Sequence, residues 1–160
     1  MVRNSSLAHQ QPIYAVGAVA YRYDARERLQ ILIIRKRNGY WTLPKGRVYT
    51  TEDDASALLR ELREETGLTG IVEEEVAQVQ YITPRRRLPR RKIATYYLVR
   101  VAPGAIAIPG AHPGEMIEQV RWVGLRGALR RVRRKHIRDI IICAEALLLG
   151  RNRKHSTGPQ

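Results

Sequence analysis

The chain has 160 residues, 44% of them hydrophobic, and 29 Lys and Arg against 15 Asp and Glu give it a net charge of +14. That length suits one domain with short tails, and the hydrophobic share suffices for a core, which excludes wholesale disorder. A single cysteine, Cys143, excludes an internal disulfide framework and a cysteine-rich zinc site, and the longest apolar runs fall far short of the ~20 residues of a membrane-spanning helix.

The expected organisation is a polar N-terminal tail over 1–12, one domain over 13–150 and a polar C-terminal tail over 151–160. No signal peptide is visible in the tail, so a cytoplasmic protein with no membrane partner is expected, as a monomer or homodimer. Ile13 to Tyr23 and Leu29 to Arg37 are rich in Val, Ile and Tyr and read as two strands joined by a charged turn. Asn38 to Tyr49 holds Gly39, Pro44 and Gly46 and reads as a loop. Thr51 and Asp54 resemble a capping box, after which Ala55, Leu58, Leu59 and Leu62 recur at helical spacing until Gly67 offers a stop.

Two further strands are expected over Ile71 to Thr83 and Lys92 to Ala102, joined by a basic loop from Pro84 to Arg91. A Pro- and Gly-rich stretch from Pro103 to Gly114 leads to a short strand, Gln119 to Val123. Ile137, Ile140, Ile141, Ala144 and Leu148 share one helical face, with Gly150 as the stop. The sum is a mixed sheet with helices packed on it, an α/β or α+β domain.

Carboxylates are concentrated: nine of the fifteen are Glu52, Asp53, Asp54, Glu61, Glu64, Glu65, Glu73, Glu74 and Glu75. On a helix Glu61, Glu64 and Glu65 span an arc of roughly 100° beside the apolar stripe. Like charges at these spacings repel, and Arg60, four residues before Glu64, offsets only part of that. A hard divalent cation, Mg²⁺ or Mn²⁺, suits an all-oxygen site and would offset more. Taken alone, the helix also reads as an ordinary solvated acidic face.

The wider spacing decides between them. Gly46, five residues, Glu52, seven residues, then Arg60-Glu61-Leu62-Arg63-Glu64-Glu65-Thr66-Gly67-Leu68 resembles the Nudix box at every specified position. The resemblance implies a Nudix α/β/α sandwich over 13–150, a mixed sheet flanked by helices. It also implies hydrolysis of a nucleoside diphosphate linked to another group. Carried over by motif position, the Gly46 carbonyl and the carboxylates of Glu61, Glu64 and Glu65 would hold Mg²⁺ (or Mn²⁺). Arg60 would orient Glu64, and Glu52 would brace the loop and helix from behind. A pyrophosphate is shielded by its own charge, so attack by water needs cations on the phosphate oxygens, which fits this residue set. For the general base, Glu61 is the candidate within the box and Glu115, on a later loop, the candidate outside it.

Trp41-Thr42-Leu43-Pro44-Lys45-Gly46 resembles the entry motif of dinucleoside polyphosphate hydrolases and broader MutT-like members. Many of these have Gly where this chain has Thr51, which implies an altered loop. Lys45 is a candidate for a phosphate oxygen, and Tyr40 and Trp41 for stacking on a base, although Trp41 equally suits packing under the loop. Arg85, Arg86 and Arg87 are candidates to grip a long polyphosphate. A second basic cluster, Arg130, Arg131, Arg133, Arg134, Lys135 and Arg138, precedes or opens the last helix, where the macrodipole disfavours it, as expected if an anion binds there or if the helix starts later.

The expected substrate is a dinucleoside polyphosphate or nucleoside triphosphate. The alternatives are an RNA 5′ end held by the basic surface and a non-catalytic nucleotide sensor. Loss of box carboxylates would favour the sensor, and none is missing. The net charge alone is equally explained by codon bias in a GC-rich genome.

Overall fold

The computed structural model describes residues 10–83 and 89–156. Its strands are β1 (Ile13–Tyr23), β2 (Leu29–Lys36), β3 (Trp41–Thr42), β4 (Lys45–Arg47), β5 (Ile71–Thr83), β6 (Arg90–Arg100) and β7 (Ile117–Val123). Its helices are α1 (Asp54–Thr66), α2 (Leu125–Arg131) and α3 (Lys135–Ser156). The sheet runs β3-β2-β1-β6-β5, with β4 on β1 and β7 on β2. Among the described residues only β1 and β6 pair in parallel, so the sheet is mixed.

Strand alternation divides the core into two layers. Ala15, Val19, Tyr21, Ile31 and Ile33 face α2 and α3, where they meet Ala128, Ile137, Ile140, Ile141, Ala144 and Leu148. Their neighbours Val16, Ala18, Ala20 and Leu32 point the other way, onto Ala57, Leu58 and Leu62 of α1. Both sheet faces are thus buried, which explains why β1 and β2 read as near-continuous apolar runs. The result is a mixed sheet flanked by helices, the α/β/α arrangement expected.

Several boundaries differ from expectation. The segment Asn38–Tyr49 is not a loop throughout: it carries β3 and β4, and β4 pairs with β1 through Ala15↔Arg47, Val16↔Gly46 and Gly17↔Lys45. Strands of two and three residues are too short to leave a period in the sequence. Helix α1 is capped by Asp53, whose side chain accepts from the Ser56 N–H, and not by Thr51. Thr51 sits in the turn closed by the Glu52 N–H to the Tyr49 carbonyl, so the helix cannot begin there. Strand β6 runs two residues earlier than expected at both ends, and β7 begins at Ile117.

The short helix α2 is unforeseen, and α3 passes Gly150 and continues to Ser156, so residues 151–156 are helical. A helical glycine costs only about 1 kcal/mol. Beyond it Arg151 pairs with Glu73 at 3.1 Å and Glu74 at 2.5 Å on β5, which holds the last turns in place. Among the described residues no helix is long and apolar enough to cross a membrane.

Candidate active site

The site forms where β4 meets α1. Gly46 is held in the sheet by its pairing with Val16, and α1 presents Glu61 directly to it. A Cβ on residue 46 would stand 1.8 Å from the Glu61 carboxyl carbon, so this contact requires glycine. The helix then stops at Gly67, which takes the left-handed conformation (φ 70°) and donates its N–H to the Arg63 carbonyl.

The last carbonyls of α1 have no partners within the helix and must find them elsewhere. The following loop supplies them. The N–H groups of Ile108, Gly110 and His112 donate to the carbonyls of Thr66, Glu65 and Glu64 at 2.8, 2.9 and 3.0 Å. This strapping carries Glu115 to the helix, and carboxylate oxygens of Glu61, Glu64 and Glu115 lie within 4.8 Å of one another.

Arg60 organises the neighbouring charges. Its Nε and Nη2 donate to the two oxygens of Glu52 at 2.7 and 2.9 Å. Its Nη1 donates to Glu61 at 2.9 Å and Glu64 at 3.3 Å, and its Nη2 also reaches the Arg47 carbonyl at 2.9 Å. Tyr49 lies under the guanidinium, 4.3 Å from its ring centroid. Glu52 in turn accepts from the Tyr49 N–H, closing the loop onto the helix. The Arg60 guanidinium holds the Glu52 carboxyl below the usual carboxylate range, while burial raises that of Glu61 against the pull of Arg60.

Glu65 lies outside the triplet formed with Glu115. It is nearly inaccessible at 2% exposure and accepts from the Lys45 main-chain N–H at 3.3 Å. Burial pushes its carboxyl up to about 8; Lys36 opposes this, and the charges of Glu61 and Glu115 add to it. Converging carboxylates that repel one another, with a glycine backbone placed against one of them, match the oxygen donor set of a hard divalent cation.

The candidate substrate residues divide. The Lys45 ammonium reaches the Tyr81 hydroxyl at 3.3 Å. Burial, with Lys36 and Arg134 nearby, lowers it to about 8. Lys92 lies 5.9 Å from the same Tyr81 ring and is lowered by burial and by Lys45. Lys36, Lys45, Lys92 and Arg134 therefore form a cationic field around Tyr81 that sequence spacing did not reveal, because four separate elements contribute to it. Trp41 packs against the α2–α3 core layer with the Arg121 guanidinium 5.8 Å from its ring, and Tyr40 stands half exposed with Arg134 at 5.2 Å. Arg85, Arg86 and Arg87 lie outside the described residues.

The second basic cluster both precedes and opens α3. Arg130 and Arg131 end α2, Arg133 and Arg134 link the helices, and only Lys135 and Arg138 lie in α3. Arg138 donates to the carbonyls of Leu129 and Val132, so it caps the preceding helix. Lys135 pairs with Asp139 at 2.8 Å. These contacts account for two cations that otherwise oppose the macrodipole.

Known proteins resemble this arrangement. A putative mutator protein, MutT4, from Mycobacterium tuberculosis is 28% identical over 146 residues, covering 90% of this chain and 51% of that protein, so the chain spans about half its length. The mouse asymmetrical bis(5′-nucleosyl)-tetraphosphatase is 31% identical over 106 residues, 62% of this chain and 67% of that protein. Among solved structures, a C. elegans Ap4A hydrolase binary complex superposes with a TM-score of 0.70 at 22% identity, covering 86% of this chain and 98% of that one. The family model for the NUDIX domain matches residues 13–144, and the chain therefore belongs to the NUDIX domain family.

Proposed function

We propose that this protein is a divalent-metal-dependent hydrolase of a pyrophosphate linkage in nucleoside diphosphate derivatives, with dinucleoside polyphosphates first and nucleoside triphosphates second as substrates. The observation that carries this reading is the convergence of Glu61, Glu64 and Glu115 beside the Gly46 backbone. The Gly46 carbonyl with Glu61, Glu64 and Glu65 would hold Mg²⁺ (or Mn²⁺). The bound ion would supply charge neutralisation on the phosphate oxygens and acidification of the attacking water.

The chain's own groups do the rest. Arg60 sets the Glu64 carboxylate through its shared contacts with Glu52 and Glu61. Glu52 braces Arg60 and the Tyr49 main chain from behind. The general base is Glu61 or Glu115: Glu61 is held by Arg60 at 2.9 Å, and Glu115 is carried to the site by the strapped loop. Lys45, in its cationic field, would meet a phosphate oxygen, and Tyr40 and Trp41 would border one base of the substrate. The assignment to dinucleoside polyphosphates draws on the tetraphosphatase activity for which the mouse relative is named. Action in the cytoplasm belongs to the same reading and rests on the lone, exposed Cys143. An RNA 5′ end is the second reading, favoured by the unneutralised arginines beyond the site.

The test is a substrate panel with Mg²⁺: diadenosine tetraphosphate, ATP and a 5′-triphosphorylated RNA, with products weighed after reaction in ¹⁸O-water. Turnover of the first, with label on one product, is expected. Glu64→Gln should lower turnover about a thousandfold; unchanged turnover would overturn the role given to Glu64.

A further inference from the structure

A cleft of about 480 Å³ opens where the β2–β3 turn meets α2 and the α2–α3 link. Arg35, Tyr40, Trp41, Arg130, Arg131 and Arg133 line it, and no lining residue is acidic. Arg131 donates to the Gly127 carbonyl. Arg130 and Arg133 are exposed and have no carboxylate partner among the described residues. Arg35 is ion-paired with Glu118 at 3.9 Å, but its buried Nε has no hydrogen-bond acceptor. Four guanidiniums around one space repel one another, and a buried donor without an acceptor costs stability. An anion would relieve both at once.

A half-exposed tyrosine in the same wall adds a stacking surface, the pairing of cation and aromatic ring by which proteins hold nucleotides. The cleft is also linked to the segment that carries Glu115. Its β2–β3 turn is tied by the Arg37 N–H to the Met116 carbonyl, next to Glu115, and Arg134 bridges from the Tyr40 ring to the field around Lys45.

We infer that this cleft holds a second nucleotide of the substrate, with its phosphate among Arg35, Arg130 and Arg133 and its base against Tyr40. This rests on the hydrolase reading for the first nucleotide's place. The same chemistry is presented by the distal nucleotide of a dinucleoside polyphosphate and by the nucleotide next to an RNA 5′ end.

The experiment compares the wild type with Arg130→Ala/Arg133→Ala, and with Arg130→Gln/Arg133→Gln should the first not fold. For each protein, kcat/KM is measured with Mg²⁺ for diadenosine tetraphosphate, 5′-triphosphorylated RNA and ATP. The ratio of a two-nucleotide substrate to ATP should fall about tenfold in the variant. A fall for the dinucleotide alone or for the RNA alone identifies the source. Unchanged ratios, with ATP still hydrolysed, overturn the cleft and leave the hydrolase reading standing. If no substrate turns over, the hydrolase reading fails, and binding of 5′-phosphorylated diadenylate against AMP, followed by tryptophan fluorescence, decides the cleft. Tighter binding of the diadenylate that is lost in the variant supports it, and equal binding overturns it.

Discussion

Arg60 and the arginines of the cleft carry the same guanidinium, and the fold treats them in opposite ways. Arg60 spends its donors on Glu52, Glu61, Glu64 and the Arg47 carbonyl and rests on Tyr49. Among the described residues Arg130 and Arg133 have no carboxylate partner, and Arg35, paired with Glu118, keeps a buried Nε without an acceptor. A guanidinium surrounded by carboxylates is an internal brace, and its charge is consumed in holding acids in place. One surrounded by its own kind stays unneutralised and faces a partner that brings the negative charge. The net charge of +14 therefore does not measure a uniform basic shell. It combines an acidic hub that Arg60 partly neutralises with a cleft that is left positive.

After Glu64→Gln, the next largest effect is expected from Gly46→Ala, which breaks the acidic hub at its tightest contact. The new Cβ would fall 1.8 Å from the Glu61 carboxyl carbon, while pairing with Val16 prevents the strand from retreating. Displacing one group by about an ångström costs about a hundredfold, so kcat at saturating Mg²⁺ should drop by that factor. Activity within twofold of wild type would show that Glu61 has no fixed place.

A smaller effect is expected from Arg60→Lys, which keeps the charge and removes the fork. Calorimetric titration with Mn²⁺ should show binding weakened about tenfold, as when a partner that orients a metal ligand is lost. Unchanged affinity would mean that Arg60 neutralises the hub without positioning it.

The smallest concerns the foot of the hub, where the Tyr97 hydroxyl donates to Asp54 at 2.7 Å in the first turn of α1. Burial, followed by this hydrogen bond, pushes the Tyr97 phenol up to about 12. Burial also raises Tyr21 and Tyr96. A folded-state value above the ordinary value of about 10 favours the neutral phenol. The contribution is complete below about pH 10 and is lost as pH rises through 12. Urea midpoints measured between pH 8 and 11 should therefore decline at the alkaline end, with a shallower decline in Tyr97→Phe. Identical slopes would remove Tyr97 from the fastening of α1.

The legibility of the two regions differs for the same reason as their chemistry. The box residues from Arg60 to Thr66 lie on one helix, where fixed spacing puts Glu61, Glu64 and Arg60 side by side. Gly46 and Glu52 precede it at set distances, so the hub is readable along the chain. Glu115 was legible only as a candidate, because its approach depends on a loop whose N–H groups cover the α1 carbonyls. The Tyr81 field was not legible, since Lys36, Lys45, Lys92 and Arg134 come from β2, β4, β6 and the α2–α3 link. Nor was the role of Arg138, which reads as an opponent of the dipole until α2 is seen to end against it.

By itself the sequence determined the layered architecture, through apolar runs buried on both faces, and the acidic helix with its glycine and arginine partners. Helical and strand periods act over a few residues, so they survive in one dimension. Tertiary structure alone decided that β4 pins Gly46 against Glu61, that a loop delivers Glu115, and that arginines from two distant segments enclose one cleft. Those outcomes depend on which unsatisfied backbone groups and uncompensated charges meet once the sheet has closed, and no local period records that.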